Sequence, residues 1–187
     1  MKQRLEDGRW IMAAYEDIKG FFQENNLIGK TIKDILPKAL DYMIQNLEDI
    51  ENIEELNAFS GIQTDVALCI VFEDTDSLEI EFSGDGPVLL GFNTADFHKY
   101  PQYTGECYTL KMLFGGCIGK KIIDIIFEKS ENKMLFPCYY EIDMSGDDDG
   151  VKEIRLQLED RTYLKASGCI DWFYFEHCME NGEAVDI

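Results

Sequence analysis

Between Ala39 and His98 the chain has no lysine or arginine, while fourteen aspartates and glutamates fall in the same stretch. Over the whole 187 residues, 37 acids stand against 17 bases, a formal net charge of −20. A nucleic-acid binder neutralises phosphates with Lys and Arg, so that class is disfavoured, and an anionic membrane surface is disfavoured for the same reason. There are only two histidines, His98 and His177, and no Gly-x-Ser-x-Gly elbow, so no triad chemistry is signalled. The six cysteines include no close pair of the kind zinc requires. Cys107 and Cys117 are ten apart, Cys169 and Cys178 nine. Buried thiols in a reducing, cytoplasmic compartment are the economical expectation. The longest apolar run, Val66 to Phe72, is too short to span a bilayer. The opening Met-Lys-Gln-Arg-Leu-Glu-Asp carries no apolar segment of signal-peptide type. No Pro/Gly/Ser-rich linker divides the chain, so residues 1–187 are expected to form one domain.

What the sequence does contain is an internal echo. Ile28-Gly29-Lys30-Thr31-Ile32-Lys33-Asp34-Ile35 recurs as Ile118-Gly119-Lys120-Lys121-Ile122-Ile123-Asp124-Ile125, with six of eight positions identical at an offset of 90. A second cassette follows each copy. Phe72-Glu73-Asp74 leads to Leu78, as Leu158-Glu159-Asp160 leads to Leu164, and Ser83-Gly84 matches Ser167-Gly168. Two β-rich repeats are expected, spanning about 28–92 and 118–175.

Hydrophobic spacing supplies the elements. Ile11, Ala14, Ile18, Phe21 and Phe22 share one helical face, which predicts a helix over Trp10–Asn25. Pro37, then Leu40, Met43, Ile44, Leu47 and Ile50 at helical spacing, predict a second helix from about Lys38 to Leu56. The matching part of the second copy looks like strand, so repeat symmetry argues the other way there. From Asp65 onward the pattern is β. Val66 to Phe72 reads as a strand covered on both faces. Leu78, Ile80 and Phe82 alternate with Glu79 and Glu81, which marks a half-exposed strand. Val88 to Phe92 follows. In the second copy, Ile122–Phe127, Met134–Ile142, the Ile154-Leu156-Leu158 stretch, Tyr163–Ala166 and Ile170–Phe175 read as strands with short turns, hence antiparallel pairing. The fold class expected is α+β: mostly antiparallel β from two pseudo-symmetric repeats, with an N-terminal helix and, where helical spacing prevails over repeat symmetry, a second one.

Candidate chemistry is sparse. Gly29-Lys30-Thr31 lacks the glycine that a phosphate loop needs five residues earlier, since position 24 is Glu24, and Lys121 replaces the hydroxyl in the second copy. The Asp147-Asp148-Asp149-Gly150 loop offers hard oxygens for calcium. An EF-hand alignment, however, puts Leu156 where the bidentate Glu belongs. No cofactor or metal is expected. The aromatics Phe136, Tyr139, Tyr140, Tyr163, Trp172, Phe173, Tyr174 and Phe175 read mostly as strand core, with Trp172 and Tyr174 on one face and Phe173 and Phe175 on the other.

The charge bias is then the functional lead. Glu73, Asp74, Asp76, Glu79 and Glu81 lie within the base-free stretch, and Glu79 and Glu81 are expected side by side in solvent. That hairpin is the expected docking face for a basic protein partner. In size, charge and compartment the chain resembles the small acidic immunity proteins that shield bacteria from basic toxins. That resemblance implies a non-enzymatic, cytosolic interaction protein and transfers no residue roles. A small-ligand- or cation-binding β domain is the alternative, and a hydrolase using paired carboxylates comes third.

Overall fold

The computed structural model describes residues 2–38, 61–64, 67–82, 87–99, 113–130, 150–169, 172–183 and 185. Its strands, in chain order, are β1 (Lys2–Arg4), β2 (Trp10–Met12), β3 (Ile32–Pro37), β4 (Gly61–Thr64), β5 (Leu68–Phe72), β6 (Ser77–Phe82), β7 (Val88–Phe92), β8 (Ile122–Ser130), β9 (Gly150–Leu158), β10 (Tyr163–Cys169) and β11 (Trp172–Cys178). A helix, α1 (Tyr15–Glu24), lies between β2 and β3. The fold is mostly antiparallel β. One sheet runs β1-β2-β7-β6-β5-β3 and the other β4-β11-β10-β9-β8. Among the described residues no helix is long and apolar enough to cross a membrane.

The alternation read from sequence sets the inner faces. Leu78, Ile80 and Phe82 of β6 are buried, as are Ile154, Leu156 and Leu158 of β9. These side chains, with Phe173 and Phe175 of β11, belong to one cluster drawing on both sheets. Phe82 of the first sheet faces Phe173 of the second at 6.4 Å between ring centroids. The α1 residues Ile18, Phe21 and Phe22 join the same cluster, and Phe22 and Tyr15 meet Phe127 of β8 edge-on at 5.3 and 6.1 Å.

The N-terminal helix is shorter than its spacing predicted. Trp10–Met12 is strand, paired with β7 as Trp10↔Leu90 and Met12↔Val88. Ile11 and Met12 are consecutive and both buried, which a strand between two covered faces accommodates. The helix begins after Ala14, whose backbone is extended. Glu16 and Asp17 sit in its first turn, where the helix dipole favours acids. It ends at Asn25, whose side chain donates to the Phe21 carbonyl at 2.7 Å, and Asn26 turns left-handed at φ 48°. The expected helix over 38–56, apart from Lys38, lies outside the described residues, as do the expected strand 134–142 and the acidic loop up to Asp149.

The two Gly-Lys cassettes meet. Gly29 N–H donates to the Ile122 carbonyl and Gly119 N–H to the Ile32 carbonyl, each at 2.8 Å. Ile122 N–H donates to the Lys30 carbonyl and Ile32 N–H to the Lys120 carbonyl, each at 2.9 Å. Thr31 and Lys121 form the antiparallel bridge between them. The corner therefore joins β3, at the edge of one sheet, to β8, at the edge of the other.

Both cassette glycines have positive φ, 92° at Gly29 and 79° at Gly119, and a Cβ at either would meet nothing within 4 Å. The glycines are needed for backbone conformation rather than for space. Gly29→Ala and Gly119→Ala are each expected to lower stability by about 1 kcal/mol, the cost of a left-handed Ala. Urea unfolding of the two variants checks this; a neutral result at either site would mean its backbone relaxes out of the left-handed region.

Candidate functional site

Beyond the corner, each cassette leads to a hairpin turn of the same build. Phe72 N–H donates to the Asp76 carbonyl at 2.9 Å, and Leu158 N–H to the Thr162 carbonyl at 2.8 Å. Thr75 and Arg161 occupy the left-handed position, at φ 74° and 71°. Glu73 N–H reaches the Thr31 carbonyl and Glu159 N–H the Lys121 carbonyl, so the two acidic turns flank the bridge from either side. Lys30 bonds Asp74 and Asp76, and Lys120 bonds Asp160. The lysines lie beneath their partners: the Lys30 side chain is 13% exposed and that of Asp74 54%. Lys30 and Lys120 are thus covered by their carboxylate partners, while Lys121 of the bridge and Arg161 of the second turn are exposed beside Glu73, Asp74 and Glu159. Hydrogen bonds from Lys30 and Asn93 hold the Asp76 carboxyl below its ordinary value. At Asp160, burial pushes upward, but bonds from Lys120 and Thr162 outweigh it and hold the carboxyl low.

The five expected docking carboxylates are divided rather than gathered. Glu73 and Asp74 are exposed, and Asp76 is half-buried. Glu79 is buried, at 4% exposure, and accepts from the Thr94 hydroxyl at 2.5 Å. Glu81 is half-buried and pairs with Arg9 at 2.8 Å. The expectation that Glu79 and Glu81 stand side by side in solvent is therefore corrected. Their face of the first sheet also carries Leu36, Cys69 and Leu89, all buried. Gly91, directly across from Glu79, makes room for the carboxylate: a Cβ there would lie 2.9 Å from Glu79 Oε2 and 2.0 Å from Thr94 Oγ1. Arg9 also binds Asp7 at 2.8 Å, and its charge holds the Asp7 carboxyl low although burial opposes this.

On the outer face of the second sheet the charges form a ladder across four strands. Glu128 of β8 accepts from Arg155 of β9, Arg155 bonds Glu153, and Lys165 of β10 lies between Glu153 and Glu176 of β11. Cross-strand pairs of this kind contribute a few tenths of a kcal/mol each. They neutralise the face rather than charge it.

One buried polar chain runs inward from the corner. Asp160 accepts from the Thr162 hydroxyl at 2.8 Å, and Thr162 Oγ1 lies 3.0 Å from His177 Nε2. The His177 imidazole also hydrogen-bonds the Leu113 backbone. Burial and the nearby Lys120 charge push the His177 imidazole down to about 4. His177 is thus neutral and packed, and His98 is exposed. Cys69, Cys117 and Cys178 are free and buried, and desolvation pushes the Cys69 thiol up to about 12. Because the thiolate is the nucleophile, these groups are inert. Among the described residues no group of three His, Cys, Asp or Glu could hold a metal ion.

A further feature lies away from the corner and was not among the expected sites. A groove of 620 Å³ runs between α1 and β8, lined by Tyr15, Lys19, Phe22, Leu27, Ile125 and Phe127 among others. Its two walls are about a hundred residues apart in sequence. The available signal was the run Ile122-Ile123-Asp124-Ile125-Ile126-Phe127, which has more apolar side chains than one face can bury. Ile123 and Ile126 are accordingly exposed. Comparison of the chain with protein-family models, with curated proteins and with solved structures finds no match.

Proposed function

We propose that this is a non-enzymatic cytosolic protein built from two pseudo-symmetric β units, whose function is to bind a basic protein partner at the Gly-Lys corner. The matching hydrogen bonds of the two cassettes and the two like-built turns support the repeat. The observation that carries the docking reading is the convergence of the two Glu-Asp turns in a chain of net charge −20. Their carboxylates lie outside the lysines that anchor them. The docking face is accordingly Glu73 and Asp74, with Glu159 from the second turn, rather than the full hairpin through Glu81. Glu73, Asp74 and Glu159 are exposed and offer a cationic partner opposite charge at short range. Rim charges act mainly on the association rate and its salt dependence.

The test is affinity capture from native cytosol, followed by association kinetics with the captured protein. Glu73→Lys/Glu159→Lys is expected to leave the fold intact and to slow association about tenfold at low salt, with the difference vanishing at high salt. Capture of no basic protein, or an unchanged rate in the double variant, overturns the reading.

A further inference from the structure

The groove between α1 and β8 differs in character from the acidic corner. Its body is apolar: Phe22 and Leu27 are buried, and Ile125 and Phe127 half-buried. Its volume of 620 Å³ falls in the range, about 300–1,000 Å³, that suits small-molecule sites. One end is cationic. There the Tyr15 ring has Lys129 Nζ at 4.4 Å and Lys19 Nζ at 5.9 Å from its centroid. Lys19 lines the groove and makes no ion pair among the described residues, in a chain where acids outnumber bases two to one.

At the other end the strand edge is closed. Asp124 Oδ1 accepts from the Ile125 N–H at 2.8 Å, where β8 bulges between Ile122 and Asp124. A peptide adding to β8 as a further strand would need that N–H, so the edge is guarded against it.

We propose that this groove binds an amphipathic small-molecule monoanion. Its apolar chain or ring lies along Phe22, Leu27, Ile125 and Phe127, and its carboxylate meets Lys19 at the Tyr15 end. The site is separate from the corner carboxylates and does not depend on the partner reading.

Calorimetric titration of the full chain with decanoate, below its micellar concentration, tests this. Binding is expected, with decyltrimethylammonium, the same chain with opposite charge, at least about tenfold weaker. Lys19 is half-buried on the helix surface. Lys19→Gln should therefore keep the thermal transition while weakening decanoate about tenfold, and Lys19→Arg should restore it. Nuclear Overhauser contacts from the decanoate methylenes to the Phe127 ring are expected. No binding at about 1 mM, equal affinity for the cation, or unchanged affinity in Lys19→Gln overturns the proposal. Binding of an extended apolar peptide where decanoate fails overturns it in favour of strand addition.

Discussion

Leu156→Asp is expected to lower stability by at least about 4 kcal/mol, because it combines the loss of a buried aliphatic side chain with burial of a carboxylate. Leu156 is 1% exposed and lies between Ile125 of β8 and Leu164 of β10, in the cluster shared by both sheets. In a chain of this size 1 kcal/mol corresponds to about 2–4 °C, so the thermal midpoint should fall by about 10 °C or more. The matched control is Ile126→Asp, on the opposite face of the same sheet and across from Arg155. Ile126 is 37% exposed, and its substitution should change stability by no more than about 1 kcal/mol. Thermal and urea unfolding of both variants measure the contrast. Similar losses at the two positions would mean that the inner and outer faces of the second sheet have been misassigned.

The second large effect is a pH dependence centred on His177. An imidazole that titrates at 6.5 when unfolded and about 4 when folded makes the unfolded chain the better proton binder across that interval. Stability is then fully present above 6.5 and is lost as pH falls toward 4. The ceiling is roughly 3 kcal/mol, at about 1.4 kcal/mol per pH unit. Asp7, Asp76 and Asp160 act in a different window. Their carboxyls are held below 3.8, so their contribution is present above 3.8 and fades only below it. Protonating other acids also relieves repulsion in this chain, which works in the opposite direction, so the comparison must be between variants. His177→Leu leaves the Thr162 hydroxyl bonded to Asp160 and removes the titrating group. Urea unfolding at intervals from pH 7 to pH 4 should show the wild type losing stability relative to His177→Leu. Parallel profiles would exclude His177 as the source.

Much of the architecture was legible because it is local. The cassette glycines, the strand Ile122–Phe127, and the inward faces of β6 and β9 follow from spacing within a few residues. Glu79 was misread because alternation assigns a residue to a face and cannot say whether that face meets water. The clue lay on its neighbours. Leu68 to Phe72 and Val88 to Leu90 are continuous apolar runs, as expected of strands covered on both sides, and β6 lies between them. A charge at the centre of such a sheet must be buried and must find partners. Trp10–Met12 was misread for a related reason: its pairing partner lies nearly eighty residues further on, so helical spacing was the only local signal.

The corner also orders the assembly of the chain. The hairpins β5-β6-β7 and β9-β10-β11 close over short distances and can form early, whereas the four corner bonds join residues about ninety apart. Closing so long a loop carries an entropic penalty that only pre-formed sheets can offset. The β4–β11 pairing spans still more, about 110 residues, so both contacts depend on the local hairpins having formed. Contacts made only after the folding barrier set how long a native state lasts rather than how fast it is reached.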